Sequence, residues 1–242
     1  MIYITSDLHF NHDRFFLYVP RGFKSVDEMN KYIVNRWNDT ITDEDDVYIL
    51  GDLMLNDNDT GMELLRSLNG KLHIIYGNHD TPTRQALYNE LENVVEACYA
   101  TTFKYKNYNF YLSHYPTLCS NYDIDKPLKA RVISLCGHTH TEDKFADMDK
   151  GLIYHCEMDA HDCCPVPLDD IIWDIKDYEL HKEEIFNVIA DATNTVGMSI
   201  SEEYKEPRCH KCVYTWPSCG DHDGFGKCKT YKRDPPDGGF YG

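Results

Sequence analysis

Met1-Ile2-Tyr3-Ile4-Thr5-Ser6-Asp7-Leu8-His9 opens the chain, and the switch inside this stretch decides the architecture. Residues 2–5 are β-branched or aromatic and read as a buried strand, and an aspartate and a histidine follow at once. The same switch recurs. Val47–Leu50 runs into Gly51-Asp52, and Leu72–Tyr76 into Gly77-Asn78-His79-Asp80. Asn109–Leu112 runs into Ser113-His114, and Val132–Cys136 into Gly137-His138-Thr139-His140. Ile153–Glu157 is a sixth strand candidate. In open α/β sheets the loops beyond the carboxyl ends of strands carry the chemistry. Five strand ends thus deliver carboxylates, an amide and imidazoles to one rim, and Gly51, Gly77 and Gly137 permit the sharp exits it demands.

Helix-like stretches separate these strands, the alternation of an α/β layered domain. Ser25-Val26-Asp27-Glu28 reads as a capping box, followed by Met29, Ile33 and Trp37 at helical spacing. Met62–Leu68, Thr83–Leu91, Leu168–Tyr178 and Lys182–Ala192 are further helix candidates. The main domain is expected over residues 1–192. Residues 193–207 lose apolar periodicity and read as a linker, and residues 208–242 form a Cys-rich appendage with too few aliphatic residues for a core of its own.

The chain has 242 residues, enough for one sizeable α/β domain and an appendage. Lys+Arg of 24 against Asp+Glu of 41 gives −17, which excludes a chain-wide nucleic-acid surface or affinity for anionic membranes. No apolar run approaches a membrane span. The opening residues lack the basic and apolar regions of a secretory leader, so a reducing cytoplasm is expected, with the ten cysteines as thiols or metal ligands.

Imidazoles with carboxylates and no thiolates suit a borderline or harder divalent ion such as Mn²⁺, Fe²⁺ or Zn²⁺. The rim offers enough ligands for two, and paired ions activate water and clamp a phosphoryl group. No Gly-x-Ser-x-Gly elbow, Walker loop or Cys-to-Arg phosphatase loop supplies a competing chemistry.

The ordered series Asp7-Leu8-His9, Gly51-Asp52, Gly77-Asn78-His79-Asp80, Ser113-His114 and Gly137-His138-Thr139-His140 resembles the calcineurin-like metallophosphoesterases over about residues 1–175. The resemblance implies a two-sheet β-sandwich flanked by helices with a dinuclear centre at the strand ends. It implies that Asp7, His9 and His140 hold one metal and Asn78, His114 and His138 the other, with Asp52 bridging. It implies Mn²⁺ first, with Fe or Zn as alternatives, and a hydroxide attacking phosphorus in line. His79 stands where the family places a residue that stabilises developing charge or protonates the leaving oxygen. Leu53-Met54-Leu55 follows Asp52 in place of the Arg-Gly of the Ser/Thr protein phosphatase branch, so that activity is not expected.

Asp7-Leu8-His9-Phe10-Asn11-His12, Arg36-Trp37-Asn38 and Asp46–Asp52 look like compact bacterial and phage-encoded members. The implied location is the cytoplasm of a bacterium, or of an infected host cell if phage-encoded. The substrate expected is a phosphodiester or nucleotide-type ester, including oligonucleotides. The alternatives are a phosphomonoesterase on small metabolites and a nucleic-acid-binding protein acting through its tail. His12 reads equally as a rim residue or a plain loop histidine.

Other histidines and acids have simpler readings. His155, His161, Asp162, Cys163 and Cys164 lack ligand spacing and read as loop or buried thiols. His73 and His181 read as structural, Asp43–Asp46 as a solvated turn, and Trp37 and Trp173 as packing. In the tail, Cys209, Cys212, Cys219 and Cys228 suit a structural four-thiolate zinc site, with His210 or His222 as substitutes. Residues 205–233 carry seven basic groups against three acidic, a sign reversal that allows contact with a phosphate backbone.

Overall fold

Strand and helix alternate from the first residues, as the apolar pattern demands. The computed structural model describes residues 1–119, 126–148 and 150–181. In chain order these form β1 (Ile2–Thr5), α1 (Phe15–Tyr18), α2 (Val26–Thr40), β2 (Asp46–Ile49), α3 (Asn58–Arg66), β3 (Lys71–Ile75) and α4 (Pro82–Tyr88). Then come β4 (Val94–Cys98), β5 (Ala100–Tyr105), β6 (Tyr108–Ser113), β7 (Val132–Cys136), β8 (Ile153–His155) and β9 (Val166–Pro167). A last helix, α5, begins at 168 and is described through 181.

Two sheets result. The first has the order β4-β3-β2-β1-β9, with β1 to β4 parallel and β9 antiparallel. The second has the order β5-β6-β7-β8, parallel except for the β5–β6 hairpin. That hairpin turns on Lys106 and Asn107, both at positive φ (46° and 68°), a two-residue loop whose twist suits the strands.

The first sheet is buried on both faces, so its parallel strands are apolar almost throughout. Tyr3, Val47, Ile49, Leu72 and Ile74 pack with Met29, Ile33 and Trp37 of α2 and with Met62 and Leu65 of α3. Ile4, Leu50 and Ile75 share a second core with Phe110, Leu112, Ile133 and Leu135 of the other sheet and Ile171, Ile172 and Ile175 of α5. The arrangement is mixed α/β, two sheets over a common core with helices.

Local signals hold with adjustments. Ser25 Oγ accepts from Glu28 N at 3.2 Å, capping α2. The reciprocal bond of a capping box goes elsewhere: Glu28 Oε2 accepts from Lys24 N at 2.8 Å instead of from Ser25 N. The acidic run at 43–46 is not wholly solvated, because Asp45 is buried and its Oδ2 accepts from Thr42 N at 2.9 Å. His73 is structural, buried between Asp46 and Glu96 with 2.9 Å contacts to each. Trp37 is buried, whereas Trp173 is half exposed. The helix expected at Lys182–Ala192, the linker and the whole tail lie outside the described residues. No helix among the described residues is long and apolar enough to cross a membrane.

Candidate metal centre at the strand ends

Because β1, β2 and β3 run parallel, as do β6 and β7, the loops after them leave from matching strand ends. Backbone bonds knit those loops together: Asp7 N donates to Gly51 O at 3.0 Å, His9 N to Asp52 O at 2.9 Å, and Gly137 N to His114 O at 2.9 Å. The chain bends sharply here. Asp7, His9, Asp52, His138 and His140 all have φ between 51° and 79°. Non-glycine residues rarely adopt this region, and strain of this kind clusters where function fixes the side chain.

Each of the two carboxylates spends one oxygen on the protein and keeps the other for the centre. Asp7 Oδ2 accepts from His138 N at 2.9 Å and lies 2.6 Å from Ser6 Oγ. Its Oδ1, fully buried, has no hydrogen-bond partner. Asp52 Oδ1 accepts from His79 N at 2.8 Å, while Oδ2 faces the imidazoles. Asp80 fixes this loop from behind. Its carboxylate accepts from Asp52 N and Gly77 N, both at 2.8 Å, from Leu53 N at 3.2 Å and from the Tyr88 hydroxyl at 2.8 Å.

The glycines act differently from expectation. Gly51 does need its conformation, at φ +98°. Gly77 and Gly137 are needed for space: a Cβ on Gly77 would sit 2.3 Å from Asp52 Oδ1, and one on Gly137 would sit 1.9 Å from Ser6 Oγ and 2.3 Å from Asp7 Oδ2.

The imidazoles of His9, His114 and His140 converge on the two carboxylates. His9 Nε2 lies 3.6 Å from both Asp7 Oδ1 and Asp52 Oδ2 and 3.1 Å from His140 Nε2. His140 Nε2 is 3.7 Å from Asp7 Oδ1. His114 Nε2 is 3.6 Å from Asp52 Oδ2 and 2.9 Å from Asn78 Oδ1. Its other nitrogen, Nδ1, donates to Leu50 O at 2.8 Å, so Nε2 presents a lone pair to the Asn78 oxygen. Likewise His140 Nδ1 donates to Asp159 Oδ2 at 2.9 Å and turns a lone pair toward His9. The His114 lone pair facing the Asn78 oxygen and the partnerless Asp7 Oδ1 lack what holds them together, and a cation supplies it. Two candidate ligand groups result, Asp7 with His9 and His140, and Asp7 with Asp52 and His114.

Burial sets the charges. It drives the His9 imidazolium out, holding its pKa at about 4 against the pull of Asp7. Burial also lifts Asp52 to about 6, helped by Asp7 and Asp80 and opposed by His114 and the His79 N–H. A cation beside that carboxylate would bring it back down. The donor set thus fits hard or borderline divalent ions.

Behind the ligands stands a charged layer that the strand-end motifs do not reveal. Asp159, which holds His140, is paired with the buried Arg21. Glu157 Oε1 accepts from the Thr139 hydroxyl at 2.8 Å and from Thr139 N at 3.3 Å, fixing the loop between His138 and His140. His155 bridges Glu157 and Asp147 at 3.0 Å to each. Glu157 ends the Ile153–Glu157 strand candidate and Asp159 follows two residues later, which is the signal the sequence offers.

Of the expected site residues, Asp7, His9, Asp52, Asn78, His114 and His140 gather as described. His138 joins the loop by its backbone, and its ring packs on His114 and Tyr115 at 5.0 and 4.7 Å between centroids. His79 is half exposed at the edge, its Nε2 3.9 Å from Asp52 Oδ2. His12 does reach the rim, with Nδ1 3.2 Å from His9 Nδ1. His155, His161, Cys163 and Cys164 form no ligand group among the described residues. Cys209, Cys212, Cys219 and Cys228 lie outside the described residues.

Comparison with known proteins identifies the family. An uncharacterized protein of Methanocaldococcus jannaschii is 41% identical over 117 residues, covering 48% of this chain and 58% of that protein. The chain thus spans little more than half of that relative. Among solved structures, a protein of unknown function from Aquifex aeolicus is similar in fold, with a TM-score of 0.55 and 22% identity over 71% of this chain and 97% of that one. An archaeal phosphodiesterase aligns more loosely, with a TM-score of 0.41 and 17% identity over 66% of this chain and 86% of that one. The family model of the calcineurin-like phosphoesterase superfamily domain matches residues 1–154, from β1 through the His138–His140 loop into β8. The chain accordingly belongs to the calcineurin-like phosphoesterase superfamily, and so to a group of hydrolases.

Proposed function

We propose that this protein is a two-metal phosphoesterase that hydrolyses a phosphodiester or nucleotide-type ester. The observation that carries the reading is the convergence of Asp7 Oδ1, a buried oxygen without a hydrogen-bond partner, with Asp52 Oδ2 and the Nε2 atoms of His9, His114 and His140. In this reading Asp7, His9 and His140 hold one ion, Asn78, His114 and His138 the other, and Asp52 serves both. Bound there, two divalent ions, Mn²⁺ before Fe or Zn, lower the pKa of water and offset the charge of a phosphoryl group.

The chain's own groups do the rest. Asp80 holds the backbone of Asp52 and Gly77, and the His79 N–H occupies Asp52 Oδ1 so that Oδ2 faces the imidazoles. Ser6 and His138 N saturate one oxygen of Asp7, so the other points only one way. His79 is held by its backbone, with its ring left half exposed, and Nε2 is placed to pass a proton to a leaving oxygen. No serine or cysteine nucleophile is required.

The test is Mn²⁺-dependent release of 4-nitrophenolate from bis(4-nitrophenyl) phosphate beside 4-nitrophenyl phosphate, with Asp52→Asn as control. Diester turnover that vanishes in the variant is the expected result. Turnover of the monoester alone would replace the proposed substrate by small phosphorylated metabolites. No turnover of either ester with metal bound would overturn the proposed activity.

A further inference from the structure

Two aromatic groups stand exposed beside the centre, one on each ligand group. On the first, α1 follows His12 by three residues and presents Phe15 at 70% exposure and Phe16 at 61%, with only Leu17 buried. Its neighbour Val19 is 51% exposed. Single exposed apolar residues need no explanation, but a contiguous patch marks a contact surface. This patch continues inward as a series of rings. Phe15 lies 6.4 Å from Phe16, Phe16 stands edge-to-face on His12 at 6.0 Å, and His12 lies 5.1 Å from His9 and 6.1 Å from His79.

On the other group Tyr115 is 51% exposed and packs on His114 at 5.1 Å and on His138 at 4.7 Å. Leu118, equally exposed, extends that side.

The occupant follows from what the rings lead to. A molecule whose phosphorus reaches Asp7, Asp52 and the imidazoles presents its organic substituents to whatever borders them. A phosphomonoester has one such arm and a phosphodiester has two, and the centre has two apolar borders leaning on different histidines. The Phe15 and Phe16 rings are flat and largely exposed, so they suit a planar ring, which stacks without demanding a particular hydrogen-bond pattern. We infer that Phe15 and Phe16 bind a planar aryl or nucleobase arm of a phosphodiester, and that Tyr115 borders the second arm. The inference rests on the hydrolytic reading above and specifies its substrate.

The experiment compares bis(4-nitrophenyl) phosphate with methyl 4-nitrophenyl phosphate, which share a leaving group and differ in the second arm. The intrinsic reactivities of the two esters cancel when the ratio of their kcat/KM values is compared between proteins. In the Phe15→Ala/Phe16→Ala double variant that ratio should fall about tenfold, the size of one aromatic pair, and Phe16→Trp should retain it. An unchanged ratio in the double variant overturns the inference. Calorimetric titration of the Mn²⁺-loaded full chain with bis(4-nitrophenyl) phosphate separates the two readings. Binding that weakens in the double variant without any turnover by the parent protein would keep the aromatic arm site and sink hydrolysis. Absence of both binding and turnover would sink both.

Discussion

Arg21 grips both carboxylate oxygens of Asp159, Nε to Oδ1 at 3.0 Å and Nη2 to Oδ2 at 2.7 Å, and the same Nη2 donates to the Asp7 carbonyl at 2.8 Å. One buried guanidinium therefore joins the loop that carries Asp7 and His9 to the carboxylate that orients His140. Partners of this kind fix the tautomer of a ligating histidine, and their loss costs about 10- to 100-fold in metal affinity. Asp159→Asn is expected to weaken Mn²⁺ binding by about that factor, read by titration of the bound ion. Arg21→Lys should do the same, since an ammonium cannot replace the two-pronged contact. Unaltered affinity in both variants would mean that His140 needs no support.

His79 and Asp52 touch, yet their loss should differ. Asp52 faces His9, His114 and His79, whereas His79 is held mainly through its backbone N–H and carbonyl and keeps 41% of its side chain exposed. His79→Ala should lose activity and retain both ions. Asp52→Asn should lose activity and ions together. Metal analysis of the two purified variants decides, and an emptied site in His79→Ala would refute the role given to that residue.

Gly137 and Gly22 separate crowding from conformation. A Cβ on Gly137 has no room beside Ser6 and Asp7, while Gly22, at φ +90°, has nothing within 4 Å of the same atom. Gly137→Ala should cost about 1–3 kcal/mol through overpacking and should also displace Asp7 from the centre. Gly22→Ala should cost about 1 kcal/mol, from backbone strain alone, with metal binding intact. Thermal melts paired with metal titration test both.

His155 gives stability a pH dependence. Burial disfavours its charge, but Glu157 and then Asp147 outweigh that and raise its pKa above the usual 6.5. A pKa raised on folding stabilises fully below the unfolded value and is lost as pH climbs through the folded one. The melting difference between the parent chain and His155→Gln, both metal-free, should thus be largest below about pH 6.5 and shrink at higher pH. A difference that grows with pH would reverse the assignment.

How much the sequence discloses depends on burial. β1 and β7 fall at Ile2–Thr5 and Val132–Cys136 as their apolar runs indicate, because both are interior strands with few ways to read otherwise. β4 and β5 escape notice. They are sheet edges with no fully buried residue, and β5 turns on Lys106-Asn107 rather than on a glycine. β9 is two residues long, too short for any periodicity. The ligand motifs were legible because they follow strands at once. Arg21 and Asp159 were not, since they lie 138 positions apart and meet only through the fold. The same holds for Asp80, whose value lies in the backbone N–H groups it collects.

Five residues of the centre, Asp7, His9, Asp52, His138 and His140, sit in left-handed backbone that glycine adopts freely and other residues adopt at a cost of roughly 1 kcal/mol each. At these positions endurance and chemistry pull in opposite directions. A lineage released from the need to cleave its substrate could place glycine at His138, whose ring makes only aromatic contacts among the described residues, and become hardier as it fell silent. The active chain keeps its side chains where the backbone resists them, and heat tolerance is the quantity it forgoes.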